Sequence, residues 1–398
     1  MPTTIVVQHA RLIDGSTARA VDDAVLITED DRIAYAGPAA GVRGRLRADA
    51  VIDAAGRALL PGLIDCHVHL VFDGEHADFA ADAEALTPES ARARCVESVR
   101  RNLEAGVTTV RDLGGIYGAT TAIADEVRAR RVEGSRVLTA ADVLTVPGGH
   151  VHFLGREISS TDEMAKAVAE LDEEGADVIK VIATGGVLTP GIGAQQSAFS
   201  QEELEVCVRE AHARGMRVAA HAIGEEGIDA AVHAGVDSIE HGCFLRDATL
   251  EAMVSNPTWL VATLSAPERI SFGGPGVPDY AREKSEEVRR AHVGSFGRAV
   301  DKGVRIASGT DAGTPYNPHG NLPHELRLMH AAGLALDHVV RAATDEAAQL
   351  LGLGDLGRLE RGRLADFVLL DGDPLADVGA YERVALVGSA GRIVVDRL

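Results

Sequence analysis

Residues 58–70 read ALLPGLIDCHVHL. An apolar run that ends in two histidines one residue apart has the period of a β-strand, so His67 and His69 leave the strand on the same side. Two imidazoles converging at a strand end make half of a transition-metal site. Alone, the pair reads equally well as two satisfied polar residues. The weight comes from recurrence, because seven further apolar segments each end in polar or glycine-rich residues. They are VTTVRDLGG (107–115), RVLTAADVL (136–144), DVIKVIATGG (177–186), RVAAHAIG (217–224), DSIEHGCF (237–244), WLVATLS (259–265) and RIASGTDAG (305–313). Helical stretches with readable starts lie between them. Thr87-Pro88 sets a cap and then proline at the first helical position, and Ser200 to Glu203 spells a capping box. Eight strand–helix alternations predict an α/β chain folded as a (β/α)₈ TIM barrel over residues 57–356, with its chemistry at the C-terminal strand ends.

The two ends of the chain follow another rhythm. Residues 1–56 and 357–398 hold short β segments broken by turn residues, as in AVLITEDDRIAYAGP and RLADFVLLDGDP. They are expected to meet as one small β-sandwich around the barrel. The stretch GGPGVPDY (273–280) reads as a loop, and TGGVLTPGIG (184–193) as a loop that shapes a pocket and not a phosphate cradle.

Acidic residues outnumber basic ones, 60 against 39, for a formal charge of −21. That balance argues against nucleic acid and anionic membrane as partners, since both need a basic surface. A small-molecule or peptide substrate remains, and a homo-oligomer is allowed. Apolar residues at 46% and charged residues at 25% suit a globular protein. The first residues carry no secretory pattern, so a cytoplasmic location is expected. Cys66, Cys95, Cys207 and Cys243 form no CxxC pair, and buried free thiols are expected, Cys66 and Cys243 as core residues despite adjoining candidate ligands.

Lys180 lies inside the apolar run VIKVIA, where an ammonium is costly to bury. Its stem could snorkel to solvent, or the amine could be neutral and combine with CO₂ as a carbamate whose two oxygens bridge a pair of metals. His221, His241 and Asp311 each close a later strand. Singly each could be an ordinary core residue, but together, in chain order, they complete a site. His150, in VPGGHVHF, follows the third strand behind two glycines that allow close approach. It is the candidate for stabilising a tetrahedral oxyanion, with His152 as its competitor. Arg111 and Asp112 end the second strand. Either could touch substrate, and an internal ion pair is the competing reading. His212, His233, His292, His330 and His338 fall in helical stretches and read as structural or exposed.

The motifs PGLIDCHVH, DVIKV, AAHA, SIEHG and SGTDAG, with GRLERGRLADFVLLDGDP near the C-terminus, resemble the amidohydrolase superfamily in its prolidase-like, imidazolonepropionase-related branch. The resemblance runs nearly the whole chain. It implies that His67, His69 and Asp311 hold one divalent metal, that His221 and His241 hold a second, and that carbamylated Lys180 bridges them. Zinc is the expected metal, with Mn²⁺, Fe²⁺ or Co²⁺ as alternatives. Such a pair would activate a bridging hydroxide near neutral pH, with Asp311 taking its proton and passing it to the leaving nitrogen.

The expected activity is hydrolysis of a peptide-like C–N amide bond. Opening of a cyclic amide is the nearest rival, a deaminase a further one, and a non-catalytic binding protein is disfavoured by the six intact ligands. In similar dipeptidases a tyrosine two residues after the fifth-strand histidine helps hold the substrate's carboxylate. Here that position is Ile223, so Arg111 or His150 must serve instead, or the substrate presents an apolar group. The second possibility points to a processing peptidase for a modified peptide.

Overall fold

The computed structural model describes residues 3–16, 19–42 and 48–398. Its middle is built on parallel strands: β1 (Leu63–Val68), β2 (Val107–Asp112), β3 (Arg136–Thr139), β4 (Val178–Ile182), β5 (Arg217–Ala222), β6 (Ser238–His241), β7 (Trp259–Val261) and β8 (Arg305–Ile306). β1–β3 form one parallel sheet. β4–β8 form a second, extended beyond β4 by Val143–Thr145 and Gly155–Glu157. The edges of the two sheets are bonded to each other at both sides. The Asp177 amide donates to the Thr139 carbonyl at 2.8 Å. Beyond β8 the amides of Cys66 and His69 donate to Ser308 and Ala312, and the Asp311 amide donates to His67, at 2.7–2.9 Å.

Helices return the chain between strands, among them Pro88–Glu104, Thr161–Glu173, Gln201–Ala213 and Asp279–Lys302. Every residue of β1, β2 and β4 is buried, as expected where a parallel sheet is covered on both faces. Both anticipated helix starts are present. Thr87 caps Pro88–Glu104 with proline in the first turn. The Ser200 hydroxyl accepts from the Glu203 amide, and the Glu203 carboxylate accepts from the Ser200 amide. No helix among the described residues is long and apolar enough to cross a membrane.

Four segments depart from the sequence reading. Residues 58–70 are not one strand. Ala58–Pro61 pairs with Phe367–Leu370 and with Thr4–Ile13, and Gly62 separates it from β1. A Cβ at Gly62 would run into the Thr108 side chain. The third segment also divides, into β3 and Val143–Thr145, around Ala141 in a left-handed conformation (φ 58°). In the eighth, only Arg305–Ile306 is paired as a strand, and the SGTDAG portion bonds to β1 as irregular backbone. The expected loop at 273–280 is shorter, since Asp279 and Tyr280 already belong to a helix.

Strands from both chain ends join in a single connected sheet of eight, in the order Arg392–Asp396, Val384–Ser389, Phe367–Leu370, Ala58–Pro61, Thr4–Ile13, Ala20–Glu29 and Arg32–Pro38, with Ala50–Asp53 against Thr4–Ile13. Alternation divides their side chains. Leu59, Phe367 and Leu369 pack among themselves with Val7, Leu26 and Leu386. Leu60, Val368 and Leu370 join the core shared with the parallel strands. This two-sided packing anchors β1.

Ser200→Ala should lower stability by ~1 kcal/mol through loss of the helix cap, measured by denaturant unfolding, with turnover unchanged.

Candidate active site

At the C-terminal ends of the parallel strands a cavity is lined by His67, His69, His150, Lys180, His221, His241 and Asp311. The imidazoles form a chain of neighbours. Ring centroids lie 5.4 Å apart for His69 and His67, 5.3 Å for His67 and His241, 4.5 Å for His241 and His221, and 4.6 Å for His221 and His150. His67 and His69 share a side of β1, as the strand period requires, and both bring Nε2 within 3.2–3.3 Å of Asp311 Oδ1. Donor atoms of His67, His241 and Asp311 all lie within 4.8 Å of one another, a spacing that could hold a metal ion.

Two of these residues reach the cavity by leaving regular strand geometry. Glu240 already faces the interior, so an extended His241 would point away from it. His241 instead adopts φ 72°, and Asp311 adopts φ 58°. Non-glycine residues seldom hold such angles unless the surroundings enforce them, and they cluster at functional sites.

Each histidine has one ring nitrogen committed to the protein. His67 Nδ1 bonds Glu240 at 2.8 Å, His69 Nδ1 the Gly114 carbonyl at 3.0 Å, His221 Nε2 the Gly185 carbonyl at 2.9 Å, and His241 Nδ1 the Thr263 hydroxyl at 2.7 Å. The other nitrogen, which on His67 and His69 faces Asp311, could act as a ligand, and a hydrogen bond through the first is how proteins orient metal-binding imidazoles. Burial holds His67, His150 and His241 well below the ordinary histidine pKa and takes His221 to about 3. These rings are therefore neutral at neutral pH, as ligation needs.

Lys180 is 2% exposed, and its Nζ has no hydrogen-bond partner. Snorkelling is therefore excluded. Burial lowers the amine to about 8, against the pull of Glu240 and Asp311. A buried amine without a partner amid ligand-type side chains fits a group still to be supplied.

His150 lines the cavity, with Nδ1 2.9 Å from the Thr189 hydroxyl. That hydroxyl accepts from the Val151 amide and can donate to Nδ1, which leaves Nε2–H as a donor. Gly186 permits the approach, because a Cβ there would strike the His150 ring. His152 is half-exposed, faces Glu157 and does not line the cavity. Ile223 does line it.

Arg111, expected as a substrate contact, does not line the cavity. Its guanidinium is buried and donates to the Cys66 carbonyl at 2.6 Å, to Ser238 at 3.2 Å and to Glu240 at 2.8 Å. The charge of Glu240, which also receives His67, holds Arg111 beneath the cavity. Asp112 accepts from the Leu70 and Gly114 amides and likewise stays outside.

Sequence reasoning missed Glu240, Thr263, Thr189 and His292. Glu240 could have been noticed as a carboxylate in an apolar strand beside a candidate ligand. His292 read as an ordinary helical histidine, yet it lines the cavity, and its Nε2 donates to the His241 carbonyl at 2.8 Å. All four cysteines are free and buried. Cys243 is more than a core residue, since it forms part of the cavity wall. A second acidic cluster, Asp73, His76 and Asp82, is already served by Arg94, which lies 2.7 Å from Asp82 and 3.4 Å from Asp73.

Residues 58–394 match the model of the amidohydrolase family. The chain belongs to that family. It is 28% identical to the ochratoxinase of Aspergillus niger over 95% of this chain and 83% of the relative. It is 31% identical to the imidazolonepropionase of Micrococcus luteus over 93% of each. The structure of a Xaa-Pro dipeptidase with methionine bound in its active site superposes with a TM-score of 0.91 at 30% identity, covering 98% of this chain and 99% of that one. This amidohydrolase is accordingly a hydrolase of C–N bonds. Divalent metals are the general equipment of its family, and the His67, His241 and Asp311 group is a candidate holder.

Arg111→Met should destabilise the fold by about 3–5 kcal/mol, because it strands the buried Glu240 charge, while the protein that folds keeps its KM. A raised KM at unchanged stability would restore the substrate-contact role.

Proposed function

We propose that this chain hydrolyses a peptide-like amide with two divalent metals, one held by His67, His69 and Asp311 and the other by His221 and His241, with Lys180 carbamylated between them. The observation that carries the reading is the Lys180 amine, buried without a partner among imidazoles that are each oriented by a hydrogen bond through one nitrogen. The histidine and carboxylate donors suit zinc and accept Mn²⁺, Fe²⁺ or Co²⁺. The hydrogen bonds joining both edges of the two parallel sheets support a closed (β/α)₈ barrel, and the two-sided packing of the terminal strands supports a β-sandwich beside it.

When bound, two such metals supply an activated water at neutral pH and a Lewis acid for the scissile carbonyl. Asp311, whose Oδ1 lies against both His67 and His69, receives the proton of the attacking water and returns it to the departing nitrogen, since an amide anion is too basic to leave unaided. His150, neutral and with Nε2–H as its donor, stabilises the oxyanion that develops on the carbonyl. Glu240, Thr263 and the Gly114 and Gly185 carbonyls keep the four imidazoles in orientation throughout.

The cavity walls indicate the substrate class. Apolar side chains such as Leu113, Val143, Leu154, Ile223, Ile270 and Val288 dominate, and Lys180 is the only lysine or arginine among the described lining residues. Arg111 is not part of this wall, and a free carboxylate left unpaired against it would cost several kcal/mol. We therefore read the substrate as an amide flanked by apolar, uncharged groups, such as an extended or modified peptide. Cyclic amides are the second reading, favoured by the likeness to an imidazolonepropionase, and a metal count of one would select it.

Elemental analysis should find about two metals per chain, falling in Lys180→Ala together with nearly all activity. Because the amine is neutral only above about 8, metal uptake by the stripped protein in bicarbonate should accelerate as pH rises through that value. Uptake that is independent of pH and bicarbonate would remove the carbamate.

Met-Pro should be a poorer substrate than its C-terminally amidated or extended analogues, compared as kcat/KM. Strong preference for the free acid would return the enzyme to ordinary dipeptidase chemistry.

A further inference from the structure

The helix Asp279–Lys302 carries Tyr280, Lys284, Val288 and His292 at intervals of four, which places them along one stripe. The inner end of the stripe belongs to the cavity, where Val288 forms wall and His292 holds the His241 carbonyl. The outer end grips the loop after β4. Tyr280 Oη donates to the Leu188 carbonyl at 3.2 Å. Lys284 Nζ donates to the carbonyls of Thr189 at 2.7 Å and Ile192 at 2.6 Å, with that of Gly186 at 3.5 Å. Three carbonyls from one irregular loop thus converge on a single ammonium.

That loop touches the chemistry directly. At its base, the Gly185 amide donates to the Gln196 carbonyl, and Thr184 bridges Ser197. The Gly185 carbonyl receives His221, the Thr189 hydroxyl engages His150, and Val187 and Leu188 cover the cavity. The tip, 186–193, has no regular structure of its own and is gathered from outside by Lys284.

We propose that Lys284 is a positioning residue whose ammonium draws the Gly186, Thr189 and Ile192 carbonyls together, so that Thr189 presents His150 to the reacting carbonyl and Leu188 closes the cavity. Without the ammonium the three carbonyls have nothing to converge on, the tip opens, and Thr189 no longer fixes the His150 ring. This role rests on the reading of His150 as oxyanion donor. A misplacement of about 1 Å at such a group costs on the order of 10²-fold in rate.

The test uses Lys284→Met, which keeps most of the stem and removes the charge. Hydrogen exchange across 184–196 should quicken while the rest of the chain exchanges as before, and kcat should fall on the order of 10²-fold with metal content retained and KM changed far less. In Lys284→Ala, added propylammonium should restore both loop protection and kcat, whereas tetramethylammonium, which has no N–H, should restore neither. Unchanged exchange at 184–196, or faster exchange with wild-type kcat, would overturn the proposal. If Lys284→Met fails to fold, Thr189→Val decides instead, with a comparable loss of kcat expected at undisturbed loop exchange and a wild-type kcat counting against the relay. The exchange measurement needs no substrate. A wild-type protein inert toward amides would therefore refute the proposed hydrolysis, while the dependence of the loop on Lys284 would still be decided by exchange alone.

Discussion

A polar group can be kept out of water only if its hydrogen-bonding capacity is met, and this site gathers four imidazoles, an amine and a carboxylate at one buried place. The surrounding structure is arranged around that demand. Glu240 serves His67 and is in turn held by Arg111 and Ser238. Thr263 serves His241 and passes its own proton to the Ala262 carbonyl. Main-chain carbonyls at Gly114 and Gly185 serve His69 and His221. Lys180 is the exception, and the exception is what makes the site legible as a receptor for something further.

The same demand explains the unusual backbone at the strand ends. β6 must offer Glu240 to the interior, where Arg111 and His67 wait, and also His241 to the cavity one residue later. A strand of period two cannot aim neighbours the same way, so the chain passes through the left-handed region at His241. Asp311 does likewise beyond β8, where the backbone has stopped pairing as a strand and instead bonds residue by residue to β1. The strain is borne where the surrounding hydrogen bonds leave no other conformation open.

Much of this was readable from the chain. Strand–helix alternation, both helix caps and the shared side of His67 and His69 follow from local periodicity, and Lys180, His221, His241 and Asp311 stand out as polar residues in or closing later apolar runs. What resisted reading was set by contacts between distant segments. Arg111 ends a strand as a ligand would, and only the placement of Glu240 across the interior shows that it is an ion-pair partner. His292 reaches the cavity from a 24-residue helix whose pattern resembles that of any surface helix. Ala58–Pro61 looks continuous with β1, and the break at Gly62 becomes visible only with Thr108 packed against it.

The pairing of Ala58–Pro61 with Phe367–Leu370 has a consequence for how the protein comes into being. The strand leading directly into His67 and His69 finds one of its neighbours only after roughly three hundred further residues have been synthesised, and contacts of such long range make folding slow. Its other neighbour, Thr4–Ile13, is already present when it is made. The sheet that flanks the histidine-bearing strand is therefore complete only when the far end of the chain returns to it.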